Sequence, residues 1–366
     1  MFPPIPIGID DFRAIRELGL AYVDKSSLIR ELLDRPGVQV VLLPRPRRFG
    51  KTVNLSMLRC WFEKRADDFS PLFHDLSIWQ PGDPYRAHFQ RYPVIAFNFK
   101  DTKGETFAEC WAAIREKIID AYQEHRYLLQ SSQLSELSLR RYQQVLEGSA
   151  EPMMLQRALL DLSACLQQHH GQPVVVLIDE YDTPIHTSYL NGYAPQILNF
   201  LGGFLGAGLK SNPHLHRAVV TGILKIADES FLSCVDNMGV FTLHSTPFNT
   251  SFSFTESALV DSDPHAPSAD WLAFSSNALL RQVLERHAPT LQPIFGSLLE
   301  GESLERELDE NVATTTTTAT TTTTTPAVPK LIMTECPSVG DELTTTTTST
   351  SGAVYLLPPP SEPLEV

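Results

Sequence analysis

Apolar residues in this chain gather into short runs bounded by turn formers, and between those runs they recur every three or four positions. Runs of the first kind predict buried strands of a parallel sheet, and the longer repeat predicts helices packed on it. Strands are expected in the apolar run that opens Val38–Thr52, at Pro93–Phe99, at Pro173–Glu180 and at His216–Gly222, with a weak fifth at Phe241–Leu243. Helices are expected at Asp10–Leu18, Ser26–Leu33, Val53–Phe62, Thr106–Gln130, Met153–His170 and Pro195–Leu209. Gly171 suits a helix C-cap, and the glycines inside Pro195–Leu209 predict close packing. Asp67–Pro84 reads as irregular with a turn at Pro81–Pro84, and Ser131–Ala150 as a polar patch rich in Ser and Gln. Strands alternating with helices mean βαβ units, so the fold class expected is α/β, a parallel sheet between helical layers.

The alternation stops near residue 260. Trp271–Asn311 reads as a small helical region, and Thr314–Thr318, Thr320–Thr325 and Thr344–Thr348 are threonine runs. Such a tail lacks the apolar content to offset chain entropy and is expected to be disordered from about Ala313. The domain boundaries expected are therefore 1–260, 261–312 and 313–366.

Composition narrows the function. An apolar fraction of 42% can build a sizeable core in 366 residues, and a net charge of −14 lacks the basic footprint of a dedicated nucleic-acid binder. The five cysteines are scattered without a CxxC pair, which argues against a disulfide framework and a zinc site. MFPPIPIGIDDF has no basic start or apolar core of a secretory signal, and no run approaches a membrane span. A soluble intracellular protein, cytoplasmic or nuclear and without a membrane partner, is the expectation.

Chemistry is concentrated in two places. Gly50-Lys51-Thr52 supplies the second half of the phosphate-binding pattern GxxxxGK[ST], between a strand and a helix as that pattern requires. A helix N-terminus offers unpaired N–H groups and partial positive charge to an anion. Gly50 lets the backbone turn tightly, Lys51 would meet the β- and γ-phosphates of ATP, and Thr52 would take a position on Mg²⁺. Arg47, Arg48 and Phe49 complete the candidate cofactor-binding set. The first glycine of the pattern would fall at Arg45.

The second place is the strand ending in Asp179-Glu180. Ligands of open α/β sheets sit outside the carboxyl ends of the strands. Asp179 is the candidate Mg²⁺ ligand and Glu180 the group that polarises the attacking water. Thr221, closing the strand His216–Gly222, is a candidate sensor by analogy with AAA-type ATPases, which makes Glu180, Lys51 and Thr221 the catalytic candidates. Arg217 and Lys225 are the nearest cations able to neutralise transition-state charge, with a surface residue the alternative reading of either. Asp24 and Lys25 read as a helix cap and a solvated face. Asp101–Gly104 spells the DxxG of GTPases, but no NKxD string accompanies it, so it is set aside as chance.

RPRRFGKT, LIDEYDTPI and TGILKIADES follow one another in this order, behind IPIGIDDF and YVDK. Together they resemble the AAA-ATPase-like (AAA-ASR) family over roughly Pro6–Glu256. The family tends to carry arginine where other phosphate loops have glycine, which accounts for Arg45. The resemblance implies a P-loop NTPase fold, with Lys51 and Thr52 as ATP–Mg²⁺ residues and Asp179 and Glu180 as the Walker B pair. Family members often continue into a PD-(D/E)XK nuclease-like domain. Here the join near Val260–Trp271 looks shortened, and after Lys225 the sole lysine is Lys330, so nuclease activity is not carried over. The function expected is an Mg²⁺-dependent ATPase acting as a nucleotide-driven switch. The alternative is a non-catalytic nucleotide-binding scaffold, a remnant of a larger ATPase–nuclease. A protein partner or self-association is left open.

Overall fold

The computed structural model describes residues 3–4, 6–80, 84–223, 225–226, 229–234, 237–242 and 245–252. The expected helical region at 261–312 and the tail at 313–366 lie outside the described residues, as do residues 81–83 of the stretch expected to be irregular.

Five strands, β1 (Val40–Pro44), β2 (Val94–Asn98), β3 (Val174–Asp179), β4 (Leu215–Gly222) and β5 (Met238–Val240), form one sheet in the order β2-β3-β4-β1-β5. Every pairing is parallel. Successive side chains of a strand face opposite ways, and two cores result. Val40 and Leu42 join Ile95, Phe97, Val176 and Val220 in one; Val41 and Leu43 join Val94, Val175, Leu177 and Val219 in the other. That is why these strands are apolar without alternation.

The second core is roofed by α1 (Phe12–Glu17), α2 (Ser27–Leu33) and α3 (Lys51–Phe62), through Phe12, Leu28, Leu58 and Trp61. Trp61 meets Phe73, Trp79 and Phe89 edge-on, so an aromatic cluster organises the segment expected to be irregular into short 3₁₀ turns. The first core is covered by α4 (Phe107–Glu124), α5 (Glu136–Leu146), α6 (Pro152–Gln156), α7 (Ala158–His170), α8 (Thr183–Leu190), α9 (Ala194–Leu209) and α10 (Glu229–Cys234). Among the described residues no helix is long and apolar enough to cross a membrane.

Four expectations need correction. The helix expected through Gln130 ends at Glu124, because His125 leaves helical geometry and a 3₁₀ turn follows. The polar stretch holds α5, capped by Ser135 and burying Tyr142 and Val145; its apolar spacing is diluted by Ser and Gln. The helix expected over Met153–His170 is two helices broken at Arg157, although Gly171 does form the left-handed C-cap at φ 67°. The fifth strand begins earlier, at Met238, where Gly239 keeps the apolar pattern weak.

Close packing of the glycine-rich helix is present. A Cβ on Gly208 would lie 2.8 Å from Leu159 Cβ on α7, and one on Gly203 would lie 2.9 Å from the flexible Gln156 amide. Gly208→Ala is therefore expected to cost about 1–3 kcal/mol in urea unfolding despite alanine's better helix propensity, with Gly203→Ala close to neutral.

His125 is 5% exposed, and burial pushes its pKa down to about 4. His170 and His216 are likewise pushed down to about 4 by burial. Between there and the ordinary 6.5 the unfolded chain takes up protons that the folded one does not, so stability rises with pH across the window and is lost as pH falls. For His125 alone the loss from pH 7 to pH 5.5 is expected to be about 1 kcal/mol, and His125→Gln should flatten the pH dependence of the urea midpoint.

Candidate nucleotide-binding site

The parallel sheet delivers the ends of β1, β3 and β4 to one edge, with β4 between the other two. A cleft of about 1010 Å³ opens there, lined in part by Arg47, Arg48, Phe49, Gly50, Lys51 and Thr52. Arg47 and Arg48 are exposed, and Phe49 is buried. Gly50 precedes α3 at φ 70°, a conformation that disfavours any side chain, and nothing lies within 4 Å of where its Cβ would be. The open space in front of this helix start is what an anion needs.

Lys51 is buried. Its Nζ lies 3.3 Å from Glu180 Oε1 and donates to the carbonyls of Arg45 and Pro46, each at 3.3 Å. The Thr52 hydroxyl donates to Asp179 Oδ2 at 2.7 Å, and Thr221 Oγ1 donates to Asp179 Oδ1 at 2.6 Å. Asn98, in register opposite Asp179 at the end of β2, approaches Oδ2 at 3.5 Å. Asp179 and Thr221 are buried behind the wall that Thr52 and Glu180 present to the cleft. Glu180 holds φ at 54° and Arg48 at 66°. Left-handed conformations in non-glycine residues cost of order 1–3 kcal/mol and collect at functional sites.

Three sequence readings are revised here. Arg217 lies at the opposite end of β4, donating to the carbonyls of Arg35 and Val38, so it cannot serve this cleft. Lys225 is exposed and is not among the cleft residues. Asp24 accepts from the Ser26 and Ser77 amides but caps no amide within α2, whose N-cap is Ser26, and Lys25 is buried at the cleft and donates to the Thr250 carbonyl at 3.2 Å.

Other contributors escaped the sequence reading. Asp182 lines the cleft and accepts from the Ile223 amide at 2.9 Å, fixing the chain beyond β4 against the start of α8. Lys100 and Lys103 also line it, so the turn holding the DxxG string borders the site. Asn98 had a legible signal, a polar residue at a strand's carboxyl end; Lys25 and Asp182 stand in YVDK and LIDEYDTPI, the stretches that carry the family resemblance.

The family model described as Predicted AAA-ATPase matches residues 6–232, and the chain belongs to that family. An uncharacterized protein in the vnfD 5′ region of Azotobacter chroococcum mcd 1 is 28% identical over 246 residues, 66% of this chain and 41% of the relative. The chain thus spans about two fifths of that relative's length. No solved structure matches.

Thr221→Val keeps the shape of the side chain but strips a donor from a buried carboxylate. It is expected to lower stability by about 1–3 kcal/mol in urea unfolding.

Proposed function

We propose that this chain is a P-loop NTPase that binds ATP with Mg²⁺ in the cleft and hydrolyses it as a nucleotide-driven switch. The observation that carries the reading is Lys51. Its ammonium, at the first turn of α3 behind a left-handed glycine, is held by Glu180 and two carbonyls at the cleft wall. Membership of the predicted AAA-ATPase family supports nucleotide binding at a coarse level.

The residues fit Mg²⁺. The Thr52 hydroxyl at the cleft wall would meet the ion, with the Asp179 carboxylate hydrogen-bonded behind it, and this hard cation takes few protein oxygens, completed by substrate phosphates and water. When bound it would neutralise charge on the phosphate oxygens. Lys51, on exchanging Glu180 for the β- and γ-phosphates, would release that carboxylate to accept a proton from water. Thr221 touches Asp179 rather than the cleft, so in this reading it is a positioning residue. Arg47 and Arg48, exposed at the rim, add positive charge near the phosphates or an acid-binding surface for a partner subunit.

ATP binding and turnover by the full chain with Mg²⁺ test the reading. Lys51→Ala is expected to weaken binding at least about tenfold, the loss of one charge-assisted contact. Glu180→Gln is expected to retain binding and lose about 10²–10⁴-fold in turnover. Binding by the parent with negligible turnover, unchanged by Glu180→Gln, would make the protein a nucleotide-held scaffold. A Lys51→Ala protein that hydrolyses ATP as fast as the parent would overturn the proposal.

A further inference from the structure

Arg45 stands where a phosphate loop of the usual pattern has its first glycine, and it is completely buried. Its guanidinium does not face the cleft. Nη1 donates to the Phe241 carbonyl at 2.7 Å, Nη2 donates to the Phe248 carbonyl at 3.0 Å, and the group lies 5.0 Å over the Phe252 ring. Burial lowers its pKa to about 10, so the group is still charged at neutral pH.

Residues 245–252 are gripped from other directions too. Glu31 on α2 accepts the Phe248 amide at 2.7 Å and the Ser251 hydroxyl at 2.9 Å. Asn54, in the first turn of α3, donates to the Ser251 carbonyl at 2.8 Å, and Lys25 holds the Thr250 carbonyl. Arg35 lies 5.0 Å over the Phe248 ring. Phe248 is buried with φ at 63°, a strained conformation that persists where the surroundings over-determine it. This segment lies beyond residues 6–232, the part matched to the family.

Arg45 and Asn54 belong to the loop and helix that form the candidate site. The Arg45 amide donates to the Gly222 carbonyl at the end of β4, and its carbonyl accepts from Lys51. One residue therefore joins the phosphate-loop lysine, the strand carrying Thr221 and the segment 245–252, while Ser251 itself lines the cleft. A phosphate that draws Lys51 off the Arg45 carbonyl must alter the load on this junction.

We propose, resting on the nucleotide reading above, that residues 245–252 form a strap whose seating on Glu31, Arg45 and Asn54 sets the phosphate loop for ATP, with Arg45 the positioning residue between them. Because linkage is reciprocal, ATP that binds better to the seated form must tighten the strap by the same factor by which the strap tightens ATP.

The test uses the full chain with Mg²⁺-ATP and reads two quantities: ATP affinity, and amide exchange over residues 245–252. Glu31→Gln loosens the strap without removing a hydrogen bond of the loop, although its charge also acts on Arg45, and Ser251→Ala removes one hydroxyl bond where the first variant fails to fold. ATP is expected to slow exchange over 245–252 in the parent by roughly fivefold or more, and Glu31→Gln is expected to bind ATP roughly 5- to 10-fold more weakly. A purely structural role for Arg45 and Glu31 would change stability but leave the ATP-dependent protection unmoved. ATP binding by the parent with unchanged exchange over 245–252 would overturn the strap alone, as would parental affinity in a variant whose strap exchanges faster. No binding by the parent would overturn the nucleotide reading and the strap with it.

Discussion

A buried carboxylate is the constraint on which this structure turns. Asp179 is 3% exposed, and a charge removed from water must be met by donors or it destabilises the fold by several kcal/mol. The donors come from separate parts of the chain: Thr52 at the start of α3, Thr221 at the end of β4, and Asn98 more distantly at the end of β2. Satisfying one anion thus fixes how far β1 with its helix, β3 and β4 run past one another. A one-residue slip would exchange side chains between the two cores and strand the carboxylate.

Much of the sheet was legible because doubly buried strands are written as apolar runs. Val174–Asp179 could hardly be anything else. β5 was misplaced because Met-Gly-Val carries little pattern, and α5 was missed because Ser and Gln mask Leu139, Tyr142 and Val145. At the site, local chemistry was readable wherever it lies within a few residues, as in Gly50-Lys51-Thr52. The junction around Arg45 was not. Its partner Phe248 is 203 positions away, and spacing along the chain says nothing about such a meeting. Arg217 shows the converse error, since nearness in sequence to Thr221 put it at the wrong end of a strand about 13 Å from the edge where it was wanted.

Arg45 also shows how the loop keeps its shape without a first glycine. The backbone of Arg45 does the local work, donating to Gly222 and receiving Lys51. Left-handed geometry is taken up further on by Arg48 and Gly50. The side chain is thereby free for a distant task, and its length and planarity let it hold two carbonyls and a ring together. Lysine at this position would lack the planar fork that meets the Phe241 and Phe248 carbonyls from separate nitrogens and lies over Phe252.

Helix α9 has a consequence beyond packing. It is apolar nearly all round and is covered by α4, α6, α7, α8 and α10. As the chain emerges during synthesis, four of these covering helices precede it, and α10 follows closely. The stickiest stretch of the chain, ILNFLGGFLGAGL, is therefore made when most of its shelter already exists. Its four glycines, which let neighbouring helices approach, also weaken it as a strand, and a glycine-rich segment is a poor seed for cross-chain stacking. The residues that thin the helix for close packing protect the unfinished protein from its siblings.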